Sequence, residues 1–192
     1  MTTVRHAALL LAAGESRRLG TPKQLLPFHG EPLVLRAARA LLATRPSALY
    51  VVVGARANDV FAAVAGTGAV RVDCEDWTCG LSASLRAGIA ALPMGVEATL
   101  VALCDQPAMN SAHLNALLDA FHSRPERAVA SAYAGVLGVP AVLPRAWFDD
   151  VASLSGDAGA RELLRSPSRP VLAVAGPALA DDIDEPEDRA RL

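Results

Sequence analysis

Near its start the chain carries Ala8-Leu9-Leu10-Leu11-Ala12, five apolar residues without polar alternation, and these run straight into a long polar loop. A strand with one wet face alternates. A continuous apolar run belongs to a strand buried on both faces, as in a parallel sheet covered by helices on either side. The pattern repeats along the chain. Short β-rich runs are expected as strands at 7–12, 48–53, 70–72, 99–103, 128–132, 140–143 and 171–174. Between them, alanine-rich amphipathic stretches are expected as helices at 32–43, 57–65, 81–92, 112–123, 145–152 and 159–165, with a last one after Pro186. Pro32 suits a helix's first turn, and Ser111 is a good N-cap for the helix it precedes. Strand–helix alternation predicts an α/β class: a single Rossmann-like three-layer domain over residues 1–192, with a mostly parallel sheet. In such sheets ligands bind beyond the carboxyl ends of the strands, so each motif is judged by whether it falls there.

Composition narrows the function. A 192-residue chain that is 52% hydrophobic is not disordered. A net charge of −2 argues against a nucleic-acid-coating surface, which needs a basic excess. No apolar run approaches the roughly 20 residues of a membrane helix. No signal peptide is read at the start, and the expected location is cytoplasmic. Cys74, Cys79 and Cys104 are odd in number and lack CxxC spacing, which suggests neither a disulfide framework nor a zinc site. Of 18 basic residues 17 are arginine, and Lys23 is the only lysine. Arginine replaces lysine on most solvated surfaces but not where a compact ammonium is needed, so Lys23 is a candidate for chemistry.

Lys23 lies in the first loop, residues 12–24, which has Gly14 and Gly20 near its ends and Arg17 and Arg18 between them. Glycine lets backbone N–H groups approach an anion closely, and Arg18 and Lys23 add charge, a combination suited to a triphosphate. The spacing fits neither GxGxxG nor GxxxxGK[ST]. A hydride-transfer enzyme and a P-loop NTPase are both disfavoured. A second segment, Gly80-Leu81-Ser82-Ala83-Ser84-Leu85-Arg86, sets hydroxyls beside the open N–H groups of a helix start. Ser82 alone would pass for a cap. A third, Leu103-Cys104-Asp105-Gln106-Pro107, puts an acid at the end of a buried strand. Near the end lies the acidic run Asp181-Asp182-Ile183-Asp184-Glu185, interrupted by one apolar residue; a solvated tail is the plain alternative.

These segments resemble the MobA-like NTP transferase family, whose signature LAAGxSxRxGxxKQLL is matched by residues 11–26, and most closely its molybdenum cofactor cytidylyltransferase (MocA) branch. The resemblance implies the nucleotide-diphospho-sugar transferase type of fold. Residues 80–88 are similar to GMSSSLRAG, with Leu81 for methionine and Ala83 for serine. Residues 103–107 match LCDQP, 182–188 resemble DIDTPED with Glu185 for threonine, and 154–161 resemble LSGDxGAR. Gly138-Val139-Pro140 is similar to GHP, but Val139 replaces the histidine.

By this resemblance Lys23, Arg18 and Asp105 are the catalytic set. Leu11, Ala12, Ala13, Gly14, Glu15, Ser16, Arg18, Lys23, Gly80, Ser82, Ser84, Arg86 and Asp105 would bind the nucleotide. Gln106, Gly138, Pro140, Gly156 and Asp157 would face the acceptor. Asp105 and Asp184 would hold Mg²⁺, with Asp182 as the fallback. The implied reaction is transfer of CMP from CTP to the phosphate of a molybdopterin-type molybdenum cofactor, with pyrophosphate released, and the implied downstream partner is a molybdoenzyme. Ala13 favours CTP, since the guanylyl-transferring branch tends to LAGG. Val139 leaves acceptor identity open. Three alternatives remain: a guanylyltransferase, a transferase for another phosphorylated small molecule, and a non-catalytic cofactor-carrying chaperone.

Overall fold

The computed structural model describes residues 5–157, 159–166, 169–185 and 187–188. The first strand, β1 (His6–Leu11), is buried at every position, as its unbroken apolar run requires. After a small hairpin, β2 (Pro27–Phe28) and β3 (Glu31–Pro32), the chain enters α1 (Leu33–Leu42). Then come β4 (Leu49–Val53), α2 (Ala57–Ala62), β5 (Val70–Asp73), α3 (Leu81–Ala90) and β6 (Ala98–Leu103). They are followed by α4 (Ser111–Ser123), β7 (Ala128–Tyr133), β8 (Val136–Pro144), α5 (Phe148–Ala152), α6 (Ala160–Leu164) and β9 (Val171–Ala175).

Seven strands form one sheet in the order β5-β4-β1-β6-β8-β7-β9. Only β8 runs against the rest. The sheet divides two cores. Leu10, Val51 and Leu100 face one side and pack against Val34 and Leu41 of α1 and Leu114 and Phe121 of α4. Leu9, Val52 and Val101 face the other and pack against Leu85 of α3, Val151 of α5 and Leu164 of α6. The result is the three-layer, mostly parallel architecture expected from the alternation. Parallel β1 and β6 end side by side, with Leu11 opposite Leu103, so the loops that follow them open at the same sheet edge.

The differences from expectation are local. The N-cap of α4 is Asn110, whose side chain accepts from the His113 N–H at 3.0 Å, not Ser111, which is already in the helix. Either residue can cap, and the backbone places the amide one position earlier. The helix expected at 145–152 starts with a tighter turn, Arg145–Trp147. The helix expected after Pro186 falls largely outside the described residues.

Candidate functional site

The first loop leaves the carboxyl end of β1 and is tied down from beneath. The Ala12 N–H donates to Val52 O at 2.9 Å, and the Ala55 N–H donates to Ala13 O at 2.9 Å. The Gln24 amide, buried under the loop, donates to Ala12 O at 3.1 Å and Gly14 O at 2.6 Å. Ser16 accepts from the Lys23 N–H at 3.0 Å. The loop therefore closes on its own far end with its upper surface clear. A Cβ built on Gly14 would meet nothing within 4 Å. Protein packing thus gives no reason for glycine there, whereas close approach of a ligand to the backbone would.

Asp105 follows β6 and is 8% exposed. Its carbonyl accepts from the Ile183 N–H at 2.9 Å. Ile183 is itself fully buried against Leu19 and Leu33. The one apolar residue in the acidic run thus anchors that run to the end of β6, and Asp184 arrives beside Asp105. Lys23 Nζ lies between them, 2.6 Å from Asp105 Oδ2 and 2.7 Å from Asp184 Oδ1. Arg18 Nη2 is 3.2 Å from Asp184 Oδ2. Three residues that the sequence spreads over 161 positions thus meet at one point.

Burial works against the Lys23 ammonium, but Asp105 and Asp184 outweigh it and hold the proton well above the ordinary lysine range. Burial also works against the Asp184 carboxylate, and Lys23 and then Arg18 bring it below the usual carboxylate range. Asp182 moves the other way: burial, then Asp184 and Asp105, raise it. The Cys104 thiol is pushed up to about 12, first by burial and then by Asp105, so it stays neutral and is no nucleophile. Asp105 Oδ1 is buried and has no hydrogen-bond partner among the described residues.

The start of α3 turns inward. Gly80 adopts φ 96°, and a Cβ there would overlap Asp157 and the Gly156 backbone. Fully buried Ser82 donates to Ser155 O at 3.2 Å and accepts from the Gly159 N–H at 3.2 Å. Its own N–H donates to Gly156 O at 3.0 Å. One helical turn on, Arg86 donates to Leu154 O. The segment clamps loop 154–159, and through it sets one wall of the site. Gln106 and the 138–140 segment are likewise framework. The Gln106 amide donates to Val139 O at 3.2 Å and Leu179 O at 3.0 Å, and Gly138 packs on the Tyr133 ring.

Together these elements enclose a cavity of about 590 Å³ at the carboxyl edge of the sheet. Of the residues singled out from sequence, it is lined by Leu11, Ala12, Ala13, Gly14, Glu15, Ser16, Arg18, Lys23, Gly80, Ser84, Asp105, Asp157 and Asp184. Asp182 lines it as well. Ser82, Arg86, Gln106, Gly138, Pro140 and Gly156 are absent from its lining. Sequence reasoning missed Arg17, Gln24, Trp77, Thr78, Leu81, Leu103, Cys104 and Arg161 as lining residues. Gln24 and Arg161 lie inside motifs already quoted, and Trp77 stands three residues before Gly80, so position next to a motif was the available signal.

A model of the MobA-like NTP transferase domain matches residues 8–171. Nicotine blue oxidoreductase of Paenarthrobacter nicotinovorans is 36% identical, covering 96% of this chain and 94% of that protein. Purine catabolism protein PucB of Bacillus subtilis is 32% identical, covering 94% and 92%. The crystal structure of Rv0371c from Mycobacterium tuberculosis superposes with a TM-score of 0.85 at 30% identity, covering 99% and 98%; Rv0371c has also been solved in complex with manganese, at TM-score 0.82, 29% identity and 98% of each chain. Among the described residues no helix is long and apolar enough to cross a membrane.

Proposed function

The chain belongs to the MobA-like NTP transferase family, and from that premise we propose that it transfers CMP from CTP to the phosphate of a molybdopterin-type acceptor. The observation that carries the reading is the meeting of Lys23, Asp105 and Asp184 beside a glycine loop open to ligand. An oxygen of the acceptor phosphate attacks the α-phosphorus in line. The bond from that phosphorus to the bridging oxygen breaks, and pyrophosphate leaves. Such chemistry is chiefly positioning and charge stabilisation. An acceptor phosphate that is already ionised needs no general base. Lys23 and Arg18 face the β- and γ-phosphates and offset charge gathering on the leaving group. Gly14 and its neighbours let the phosphate chain lie on the backbone.

Asp105 and Asp184 are the residues that would hold Mg²⁺. The fit rests on the unpartnered Asp105 Oδ1 and on an all-oxygen donor pair. Among the described residues no three His, Cys, Asp or Glu side chains could enclose a metal by themselves. Two carboxylates completed by substrate phosphate are a usual arrangement for Mg²⁺. Rv0371c, solved in complex with manganese, is a relative that takes up a divalent ion. When bound, the ion supplies Lewis-acid neutralisation of the transferring phosphate. Arg161 lines the same cavity and is a cation available to an anionic acceptor.

The relative named an oxidoreductase favours a second reading, hydride transfer from a dinucleotide bound in the same cavity. Two parallel incubations separate the readings: the protein with Mg²⁺, each of the four NTPs and the molybdenum cofactor, followed by pyrophosphate, and the protein with NADH or NADPH and a dye substrate, followed by loss of the reduced dinucleotide. Pyrophosphate is expected with CTP above the others. GTP winning would move the chain to guanylyl transfer. No NTP consumed, with NADH or NADPH oxidised by a dye substrate, would replace transfer by reduction.

A further inference from the structure

The two acids reach the cavity with a cation already between them. Lys23 Nζ contacts Asp105 Oδ2 at 2.6 Å and Asp184 Oδ1 at 2.7 Å, and the three side chains are 19%, 11% and 32% exposed. We infer that Lys23 is the resident counter-ion of these carboxylates, and that it must leave at least one of them before a divalent cation can take both. The inference rests on the nucleotidyl-transfer reading, in which these acids hold the metal.

Two partly desolvated carboxylates facing each other repel, and an ammonium placed between them removes the repulsion. A divalent ion brought to the same oxygens sets two positive charges beside one, which is unfavourable at contact distance. Displacing the ammonium does not require the loop to move. Lys23 is held through its backbone, by N–H to Ser16 Oγ at 3.0 Å and by its carbonyl to the Leu26 N–H at 3.1 Å. When it leaves, Asp184 keeps Arg18 on its other oxygen. Asp105 keeps nothing, because its Oδ1 is already unpartnered among the described residues. Asp105 is therefore the acid that most needs the incoming ion. The released ammonium needs an anion in turn, and the open space above Gly14 is where one would lie. Divalent ion and polyphosphate therefore favour each other's binding, each raising the other's affinity by the same factor.

The test is Mn²⁺ binding to the full chain without nucleotide, followed by the loss of the free-ion electron paramagnetic resonance signal. Lys23→Met is expected to bind Mn²⁺ more tightly than wild type, by about 5- to 150-fold, the usual range for coupled sites. Lys23→Gln, which keeps a donor for the acids, serves should the methionine variant fold poorly, and shifts the same way. Mn²⁺ is also expected to restore the melting temperature that either variant loses. Equal or weaker Mn²⁺ binding in both variants, with wild type holding Mn²⁺ in the presence of α,β-methylene-CTP, would overturn the counter-ion role and leave the transfer reading standing. Wild type holding no Mn²⁺ even with that analogue would overturn the metal reading and this inference with it.

Discussion

The first loop and the start of α3 look alike in sequence: each sets a glycine two residues before a serine, with an arginine shortly after (Gly14-Glu15-Ser16-Arg17, Gly80-Leu81-Ser82 to Arg86). In the fold they do opposite things. The loop keeps its polar atoms toward the cavity, with Gly14 bare and Lys23 reaching Asp105 and Asp184. At the helix start Ser82 and Arg86 turn away, to the carbonyls of Ser155 and Leu154, and Gly80 presses on the Gly156 backbone, while Ser84 lines the cavity. One region opens its backbone to the cavity; in the other, Ser82 and Arg86 brace a neighbouring wall while Gly80 and Ser84 line the cavity. Polar residues at a helix start near a cavity are therefore not contacts by position alone; their hydrogen bonds decide.

Substitutions sharpen this contrast, and the largest effects belong to the loop side. Asp105→Asn removes a charge from the meeting point, and kcat should fall by about 100-fold or more while the melting curve holds near wild type. Lys23→Arg keeps the charge but not a compact ammonium able to sit between two oxygens, and most activity should be lost in the same assay. Next come the two glycines. Gly80→Ala must shift the Gly156 backbone at a left-handed φ, costing about 1–3 kcal/mol in urea unfolding. Gly14→Ala should leave that unfolding curve unchanged and weaken CTP binding by calorimetry about tenfold. If Gly14→Ala destabilised the fold and Gly80→Ala did not, the assignment of roles would be reversed. Ser82→Ala leaves the Gly159 N–H unpaired and should cost about 1–3 kcal/mol, with CTP affinity changed less than by Gly14→Ala.

The smallest effect lies far from both regions. Burial, and secondarily His122, hold the His6 imidazole below its ordinary value near 6.5. The unfolded chain then takes up the proton first. Stability is full above about pH 6.5 and declines as pH falls from there toward the folded value. Urea midpoints at pH 7.5 and 5.5 should show the drop, and His6→Gln should flatten it.

Much of this was legible in the sequence. The unbroken run of β1, the alternation after it, and the acid ending β6 place the cavity at the sheet edge. Periodicity cannot show the β2–β3 hairpin, whose strands are two residues each. It cannot choose Asn110 over Ser111, since both side chains can cap. Nor can it show that Ser82 and Arg86 point to the 154–159 loop, because that contact joins residues 68 to 77 positions apart. The Ile183 anchor was visible only as an apolar residue among acids; its meaning required the carbonyl of Asp105.

If this cavity moves a nucleotidyl group, the α-phosphate of CTP ends on the acceptor. With CTP labelled at the α-phosphorus, the label should pass to the acceptor, and with label at the γ-phosphorus it should leave in pyrophosphate. Transfer of the γ label to the acceptor, or its release as inorganic phosphate, would show that the cavity does not transfer a nucleotidyl group.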